Sequence, residues 1–387
     1  MLRLSAIYHL PILFCAPLLA FCAGTETDNP VAPEGVEFLR SSKAYLSSVE
    51  VPDVDRQSLG EDNAAFALDL YREVAASADG ERNLFLSPYS VSTVMAMTYA
   101  GARGQTESQM ASALHFNLDQ QKLHPAMNQL SQHFNALNEL EDLELRSVNS
   151  IWLQDGYPVQ TDYLDLLSQQ YDTGVYLVDF ASDAEGARRN INEWVAERTE
   201  QRIEGLLPEN AFDLPTVFAL SNAVYFSGLW EYPFDRESTR EDLFTLLDDG
   251  QVNTEMMSRT FHFPYSVAPD WRAVELPYQG SNLSMICILP NPGEFAEFEA
   301  GLSSGRLLEI VDSVQQSGDD LVRLKIPKFT FESAVDLVPA MRQLGMTDAF
   351  LPIIADFSGL TVEDKPNIGS AFHKTYVGID EEGTVAA

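Results

Sequence analysis

The chain has 387 residues, of which 45% are hydrophobic and 10% aromatic, enough to bury a substantial core. Its 58 acidic residues against 24 basic ones give a formal net charge of −34 and an isoelectric point near 4.3. So strong a negative charge argues against nucleic acids and anionic membranes as partners and favours solubility.

The first 23 residues have the pattern of a secretory signal peptide. Met1-Leu2-Arg3 supplies a positive start, and an apolar run follows from Ile12 to Ala23. Pro11 and Pro17 interrupt the segment and argue against a membrane-spanning helix. We therefore predict a secreted, extracellular protein. The alternative is a bacterial lipoprotein signal that lipidates Cys22 and anchors the protein at the cell envelope, the one membrane attachment that the sequence suggests.

Cys287 is the only cysteine beyond the signal segment, since Cys15 and Cys22 fall within it. A single cysteine forms no internal disulfide. Cys287 lies in an apolar, strand-like run, Leu283–Leu289, so we expect a buried packing residue rather than a reactive thiol.

Residues 24–60 are rich in Pro, Ser, Gly and acidic side chains, as in a flexible lead-in. A helix is predicted from about Asp62, because apolar residues then recur at spacings that line one face. A second helix is predicted after Ser87, with that residue as its cap and Pro88 in its first turn. Its largely apolar sequence from Val91 onward indicates a buried helix.

The middle of the chain contains both helical and strand patterns. Residues 106–140 are helical and polar, residues 147–153 indicate a strand, and residues 190–206 indicate a helix whose apolar face includes Trp194. A mostly apolar block follows from Leu220 to Trp230.

The C-terminal stretch is the most informative part of the sequence. Lys374–Ile379 is rich in β-branched and aromatic residues, which predicts a strand. Gly383 allows backbone angles that other residues avoid, so we expect a hinge there. The residues from Thr384 to Ala387 are small and uncharged and do not resist burial. A segment of this kind is suited to leaving a loop and entering a sheet.

Gly301-Leu302-Ser303-Ser304-Gly305 formally matches the nucleophile elbow of hydrolases, in which a strand precedes the serine and a helix follows it. The preceding residues, Phe295–Ala300, are charged and helix-like, so a loop between helices is the stronger interpretation and a hydrolase using Ser303 the weaker one. The histidines show no metal-ligand spacing, and neither Cys-x-x-Cys nor His-Glu-x-x-His occurs. We therefore expect no metal, no cofactor and no enzymatic activity.

These segments, in this order, resemble the serpins, a family of metastable peptidase inhibitors. The resemblance runs from about Asp62 to Ala387 and includes four further blocks, which are Glu275–Tyr278, Arg323–Phe329, Leu344–Phe350 and Ala355–Leu360. It implies an α+β serpin fold, a bundle of about eight to nine helices around a large central mixed β-sheet with two smaller sheets. The serpin domain would span residues 61–387 and would lack its C-terminal strands.

In serpins, cleavage of an exposed bait loop lets its small-residue arm insert as a new strand in the central sheet, and the peptidase is trapped covalently. The resemblance implies an inhibitor of serine or papain-like cysteine peptidases, active in the intact parent and not in this chain, which lacks the scissile bond. A non-inhibitory serpin used for binding or storage is the alternative. The helix near Lys122 is not basic, so no heparin site is implied. We expect a monomer that is prone to polymerisation.

The resemblance also assigns site residues. The hinge of the bait loop would be Glu381, Glu382, Gly383, Thr384, Val385, Ala386 and Ala387. Trp230, Lys328 and Glu381 would form the breach, where the loop first enters the sheet and an ion pair holds it closed. Ser87, Ser90, Asn222 and His373 would form the shutter, a polar cluster at the centre of the sheet whose members exchange hydrogen-bond partners as strands separate. The alternative for these four residues is a helix cap and an ordinary core histidine.

Overall fold

The computed structural model describes residues 32–386 except for 78–82, 139, 141, 200, 213–216, 249, 281–282 and 363–365. The predicted signal segment with Cys22, and the last hinge residue Ala387, lie outside the described residues. Among the described residues the α-helices are α1 (Asp53–Ser77), α2 (Pro88–Tyr99), α3 (Gly104–Ala113), α4 (Gln120–Leu137), α5 (Thr161–Tyr171), α6 (Ala184–Arg198), α7 (Phe295–Gly301), α8 (Ser304–Gln316) and α9 (Leu337–Gln343). The strands are β1 (Glu37–Leu39), β2 (Leu143–Gln154), β3 (Val175–Val178), β4 (Phe218–Leu229), β5 (Arg240–Thr245), β6 (Gln251–Val267), β7 (Trp271–Pro277), β8 (Ser284–Pro290), β9 (Asp319–Pro327), β10 (Phe329–Asp336), β11 (Ser370–Ile379) and β12 (Gly383–Ala386).

A seven-stranded sheet forms the centre of the molecule, in the order β1-β3-β2-β4-β12-β11-β10. Its β2–β3 and β4–β11 pairs are parallel and the other pairs are antiparallel, so the sheet is mixed, as predicted. Strand β4 is buried along most of its length, as expected for a strand that is covered on both faces. This burial explains its nearly continuous apolar sequence.

Helices cover both faces of the central sheet. Helix α2 packs on one face, where its Val94 belongs to the same buried cluster as Phe218 of β4. Helix α6 packs on the other face, where Trp194 joins Tyr225 of β4. Successive side chains of β4 thus lie on opposite faces of the sheet, as the period of a strand requires, and towards its C-terminal end Val224 and Phe226 belong to a third buried cluster.

A second, five-stranded sheet packs against one end of the central sheet. Its long strand β6 pairs with β5 and β9 over residues 251–264 and with β7 over residues 265–267. The two smaller sheets that the resemblance implies are therefore continuous with each other through β6. Cys287 lies in β8 of this sheet and packs against its core, and burial raises the pKa of its thiol to about 11. The thiol is therefore protonated at neutral pH.

The predicted flexible lead-in contains regular structure in its described part. Glu37–Leu39 forms an edge strand on β3, a segment too short to show an alternating pattern. Helix α1 begins at Asp53 and not near Asp62, and the carbonyl oxygen of Pro52 accepts the N–H groups of Asp55 and Arg56. Its first turns are polar and contain Gly60, which explains why the sequence pattern did not predict them as helix.

Two other helix boundaries differ from the predictions. Helix α6 begins at Ala184, where the Asp183 carboxylate caps it, and ends at Arg198. The predicted helical stretch 106–140 is divided by His115, whose φ of 55° interrupts helical geometry.

Ser303 lies in a loop between α7 and α8, as predicted, and its hydroxyl caps α8 by accepting the N–H of Arg306 at 3.1 Å. The element directly before it is helix α7 and not a strand, so the nucleophile elbow is not formed.

Candidate functional site at the centre of the sheet

The hinge residues enter the central sheet as strand β12. Thr384 lies opposite Gly228 of β4 on one side and Ile379 of β11 on the other, both in antiparallel register. The chain reverses direction immediately after β11 in a tight turn, where the Asp380 carboxylate accepts the N–H groups of Glu382 and Gly383 at 2.9 and 3.1 Å. The predicted entry of this segment into a sheet is thus observed for its described residues.

Strands β4 and β11 form a fork around β12. At the lower end of the sheet, Ala219–Ala223 of β4 pairs directly with Ser370–Lys374 of β11 in parallel register. At the upper end, Phe226–Leu229 and Val377–Ile379 are separated by β12 and pair with it instead. The two strands therefore either contact each other or accommodate a third strand between them.

Gly383 fits its position for a different reason from the one that the sequence suggested. Its φ is not in the left-handed region, so backbone freedom is not what this position uses. Instead, a Cβ atom on Gly383 would lie 2.2 Å from the carbonyl oxygen of Gly228 on β4. A glycine is needed here because the two backbones approach each other closely.

The three predicted breach residues come together at the turn that precedes β12. The Glu381 carboxylate is 5% exposed and accepts hydrogen bonds from Lys328 Nζ and Thr239 Oγ1, both at 2.8 Å. These bonds, that from Lys328 above all, lower the pKa of Glu381 to about 2 and raise that of Lys328. Trp230 donates its indole N–H to the carbonyl oxygen of Asp380 at 3.0 Å, which fixes the same turn.

Two residues at this site were not predicted from the sequence. Thr239 supplies the second hydrogen bond to Glu381, and Arg236 forms an ion pair with Glu382 on the surface. Arg236 begins a short 3₁₀ helix before β5 and Thr239 directly follows it, and no motif marks either residue. Only the folded chain brings them next to the hinge.

The four predicted shutter residues are also in contact. His373 Nδ1 lies 2.7 Å from Asn222 Oδ1, and His373 Nε2 accepts the backbone N–H of Ser87 at 3.0 Å. The amide of Asn222 in turn donates to the hydroxyl of Ser90. Helix α2 and strands β4 and β11 are therefore tied together by one hydrogen-bonded chain.

This chain of contacts fixes the protonation state of His373. Because Nε2 accepts a hydrogen bond from Ser87, the ring proton resides on Nδ1, which donates to Asn222. Burial lowers the pKa of His373 to about 4, so the ring is neutral at pH 7. Ser87 takes part through its backbone and not its hydroxyl, and its side chain makes no capping hydrogen bond to α2, contrary to the prediction.

Strand β2 contributes two further polar residues to the shutter. Asn149 Oδ1 accepts from the Asn222 amide, and Ser147 lies 3.3 Å from the hydroxyl of Ser90. The sequence does carry a signal for them, since Ser147 and Asn149 are two residues apart and therefore lie on the same face of the predicted strand.

Other kinds of site receive no support among the described residues. In the described ranges, no group of three or more His, Cys, Asp or Glu side chains is arranged to hold a metal ion. No helix in the part of the chain that the structure describes is long and apolar enough to cross a membrane.

Comparison with known proteins decides the family. The model of the Serpin family, described as serine protease inhibitor, matches residues 61–387. This chain is a serpin. An uncharacterized serpin-like protein of Methanosarcina acetivorans is 33% identical to it over 372 residues, which cover 96% of this chain and 85% of the relative.

Solved structures of serpins share the fold. Tengpin, a thermophilic serpin in the native state, is 28% identical and superposes with a TM-score of 0.78 over 88% of this chain and 84% of its own. A thyroxine-binding globulin in complex with thyroxine is 26% identical, with a TM-score of 0.76 over 84% of this chain and 88% of its own. The predicted serpin fold is therefore confirmed.

The neutral state of His373 predicts a loss of stability in mild acid. The unfolded chain binds a proton at a pKa near 6.5 and the folded one only near 4, so stability falls as pH decreases through this window. The loss amounts to about 3 kcal/mol for one histidine. Glu381, whose pKa is also lowered, loses its contribution only below 4.5. Urea unfolding at a series of pH values measures the slope.

A matched pair of variants isolates His373 from His124, a second buried histidine whose pKa burial lowers to about 3. Each of His373→Gln and His124→Gln should reduce the slope of unfolding free energy against pH between 6 and 4.5 by about half. An unchanged slope in His373→Gln would show that this ring is already charged in the folded protein.

The Glu381–Lys328 contact predicts the effect of charge reversal at the turn. Glu381→Lys places an ammonium group in a buried position beside that of the partly exposed Lys328, so β12 should leave the sheet and the protein should polymerise on mild heating. Glu381→Gln retains polar atoms for Thr239 and should lose only about 1–2 kcal/mol, because solvent screens the partly exposed Lys328. Size-exclusion chromatography after heating compares the two, and a monomeric Glu381→Lys variant contradicts the prediction.

Proposed function

We propose that this serpin inhibits serine peptidases by inserting its cleaved bait loop into the central sheet. One observation carries the proposal: β12 lies between β4 and β11 at the upper end of the sheet, while the same two strands remain paired below it. The hinge therefore occupies the upper part of the interface between β4 and β11. We call this interface the slot, and it continues below β12. Extending β12 along this slot is the movement that the inhibitory mechanism requires.

The chemistry of trapping belongs to the peptidase and the bait loop together. The peptidase nucleophile attacks the scissile carbonyl and forms an acyl-enzyme, which releases the amine end of the cleaved bond. Insertion of the loop then distorts the geometry of the acylated active site before water can attack the ester. Each inserted residue adds backbone hydrogen bonds of about 0.5–1.5 kcal/mol net, or about 10 kcal/mol over a dozen residues.

The shutter sets the point at which insertion must break existing contacts. His373 and Asn222 lie directly opposite each other in the parallel β4–β11 register, and their 2.7 Å hydrogen bond crosses the slot. A strand that advances below β12 has to separate them. Asn222 keeps Ser90 and Asn149 on its own side, and His373 keeps the Ser87 N–H, so neither side chain loses all its partners.

A second function is favoured by one of the relatives. The thyroxine-binding globulin to which this chain is similar is known in complex with thyroxine, so the same fold also serves for binding. A non-inhibitory serpin would be cleaved in its bait loop without retaining the peptidase. The small residues Val385 and Ala386, both already within the sheet, favour the inhibitor because they meet no steric resistance there.

We further propose that the inhibitor is secreted and meets its peptidases outside the cell, on the evidence of the signal pattern in residues 1–23. The alternative of lipid attachment at Cys22 would place it at a bacterial cell envelope. In either case we propose a monomeric protein without enzymatic activity.

The test uses the product of the complete reading frame that contains this sequence. Mixed with a panel of serine and papain-like cysteine peptidases, it should form a band at the summed mass on a denaturing gel. Sequencing the released peptide then locates the scissile bond. Cleavage of the loop without such a band, across the whole panel, would refute inhibition and favour binding or storage.

Thr384→Arg is the matched variant for this assay. Thr384 is 6% exposed between β4 and β11, so an arginine there should block insertion because its charge would be buried without a partner. The variant should be cleaved as a substrate at an unchanged rate and should form no covalent complex. Retention of the complex would show that insertion does not pass through this position.

A further inference from the structure

Thr384, the second residue of β12, rests against an aromatic pocket at the upper end of the sheet. Tyr278, which follows β7, donates its hydroxyl to Thr384 Oγ1 at 2.8 Å, and the hydrogen bond is buried. Tyr278 is 1% exposed. Burial raises the pKa of Tyr278 well above its ordinary value, so the hydroxyl keeps its proton and can act as a donor.

The ring of Tyr278 is held in place on two sides. The indole of Trp230 stacks on it, with ring centroids 4.8 Å apart and planes 15° apart, and Phe226 contacts it edge to face at 4.9 Å. A ring packed in this way has little freedom to rotate its hydroxyl away. The donor is therefore preorganised at one point beside β12.

Gly228 makes the contact between the ring and the hinge possible. It is the residue of β4 directly opposite Thr384, and a Cβ atom on it would lie 2.9 Å from the rings of both Phe226 and Tyr278. Any side chain at position 228 would push the tyrosine ring away. Absence of a side chain on β4 thus leaves the room in which Tyr278 reaches across to the inserting strand.

We propose that Tyr278 is a positioning residue that selects a hydroxyl-bearing residue at hinge position 384 and thereby sets how strongly the hinge is held in the sheet. Thr and Ser meet the requirement, whereas Val and Ala do not, although they are equally small. A small, uncharged residue can enter the slot between β4 and β11. The hydrogen bond from Tyr278 to its hydroxyl then holds it there. The consequence for peptidase trapping rests on the proposed function, but the contact itself does not.

The hinge equilibrium can be measured on this chain without any peptidase. Amide hydrogen exchange of the peptide that contains residues 380–387, followed by mass spectrometry, reports how often β12 leaves the sheet. Thr384→Val keeps the shape of the side chain and removes the hydroxyl, so exchange should rise about tenfold, the effect of one buried hydrogen bond. Thr384→Ser keeps the hydroxyl and should stay within about twofold of the wild type.

Tyr278→Phe supplies the other half of the test. It should raise exchange by about the same factor as Thr384→Val, and the double variant Tyr278→Phe/Thr384→Val should exchange no faster than either single one. Exchange in β3, whose residues belong to other buried clusters than Tyr278, should be unchanged in all four variants and serves as the control for folding. Should Tyr278→Phe disturb β3, the Val and Ser variants at position 384 still decide the question.

Two results would overturn the proposal. One is wild-type exchange in Thr384→Val, and the other is a double variant in which the two effects multiply. The gel assay separates this inference from the proposed function. Coupled exchange without covalent complexes would leave the pocket in place and refute inhibition, whereas complexes without coupled exchange would refute the selection of the hydroxyl.

Discussion

The backbone groups along the facing edges of β4 and β11 can be satisfied in two ways, and the rest of the structure depends on this choice. Buried N–H and C=O groups need partners, so the two strands either pair with each other or bind a third strand between them. The chain shows both arrangements at once, with direct pairing over Ala219–Ala223 and insertion of β12 above it. The point at which β4 and β11 separate therefore marks how far β12 extends between them.

Polar contacts at each end of the fork determine where it stops. Above it, Glu381 holds the turn through Lys328 and Thr239, and below it the His373–Asn222 bond closes the slot. Glu381, Asn222 and His373 are buried, where a missing partner is more costly than it would be in water. A strand that advances between β4 and β11 must therefore break these hydrogen bonds one after another.

Part of this site could be predicted from the sequence, because the serpin resemblance grouped Trp230, Lys328 and Glu381, and the structure brings these three residues to one turn. What the sequence did not reveal depends on contacts between distant segments. Thr239 meets Glu381 across 142 positions of the chain, and no local pattern marks such a pair. Gly383 was predicted as a hinge for its flexibility, but its close approach to β4 is visible only once the strands are paired.

The central claim is that β12 separates the upper ends of β4 and β11, and disulfide trapping tests it most directly. In a chain whose native cysteines are replaced, cysteines at Ser227 and Val385 lie in register on adjacent strands and should cross-link on oxidation. Cysteines at Ser227 and Gly378 both face Val385 from opposite sides, about 10 Å apart, and should not cross-link. Efficient cross-linking of the second pair, without the first, would show that the sheet is closed and would contradict the account.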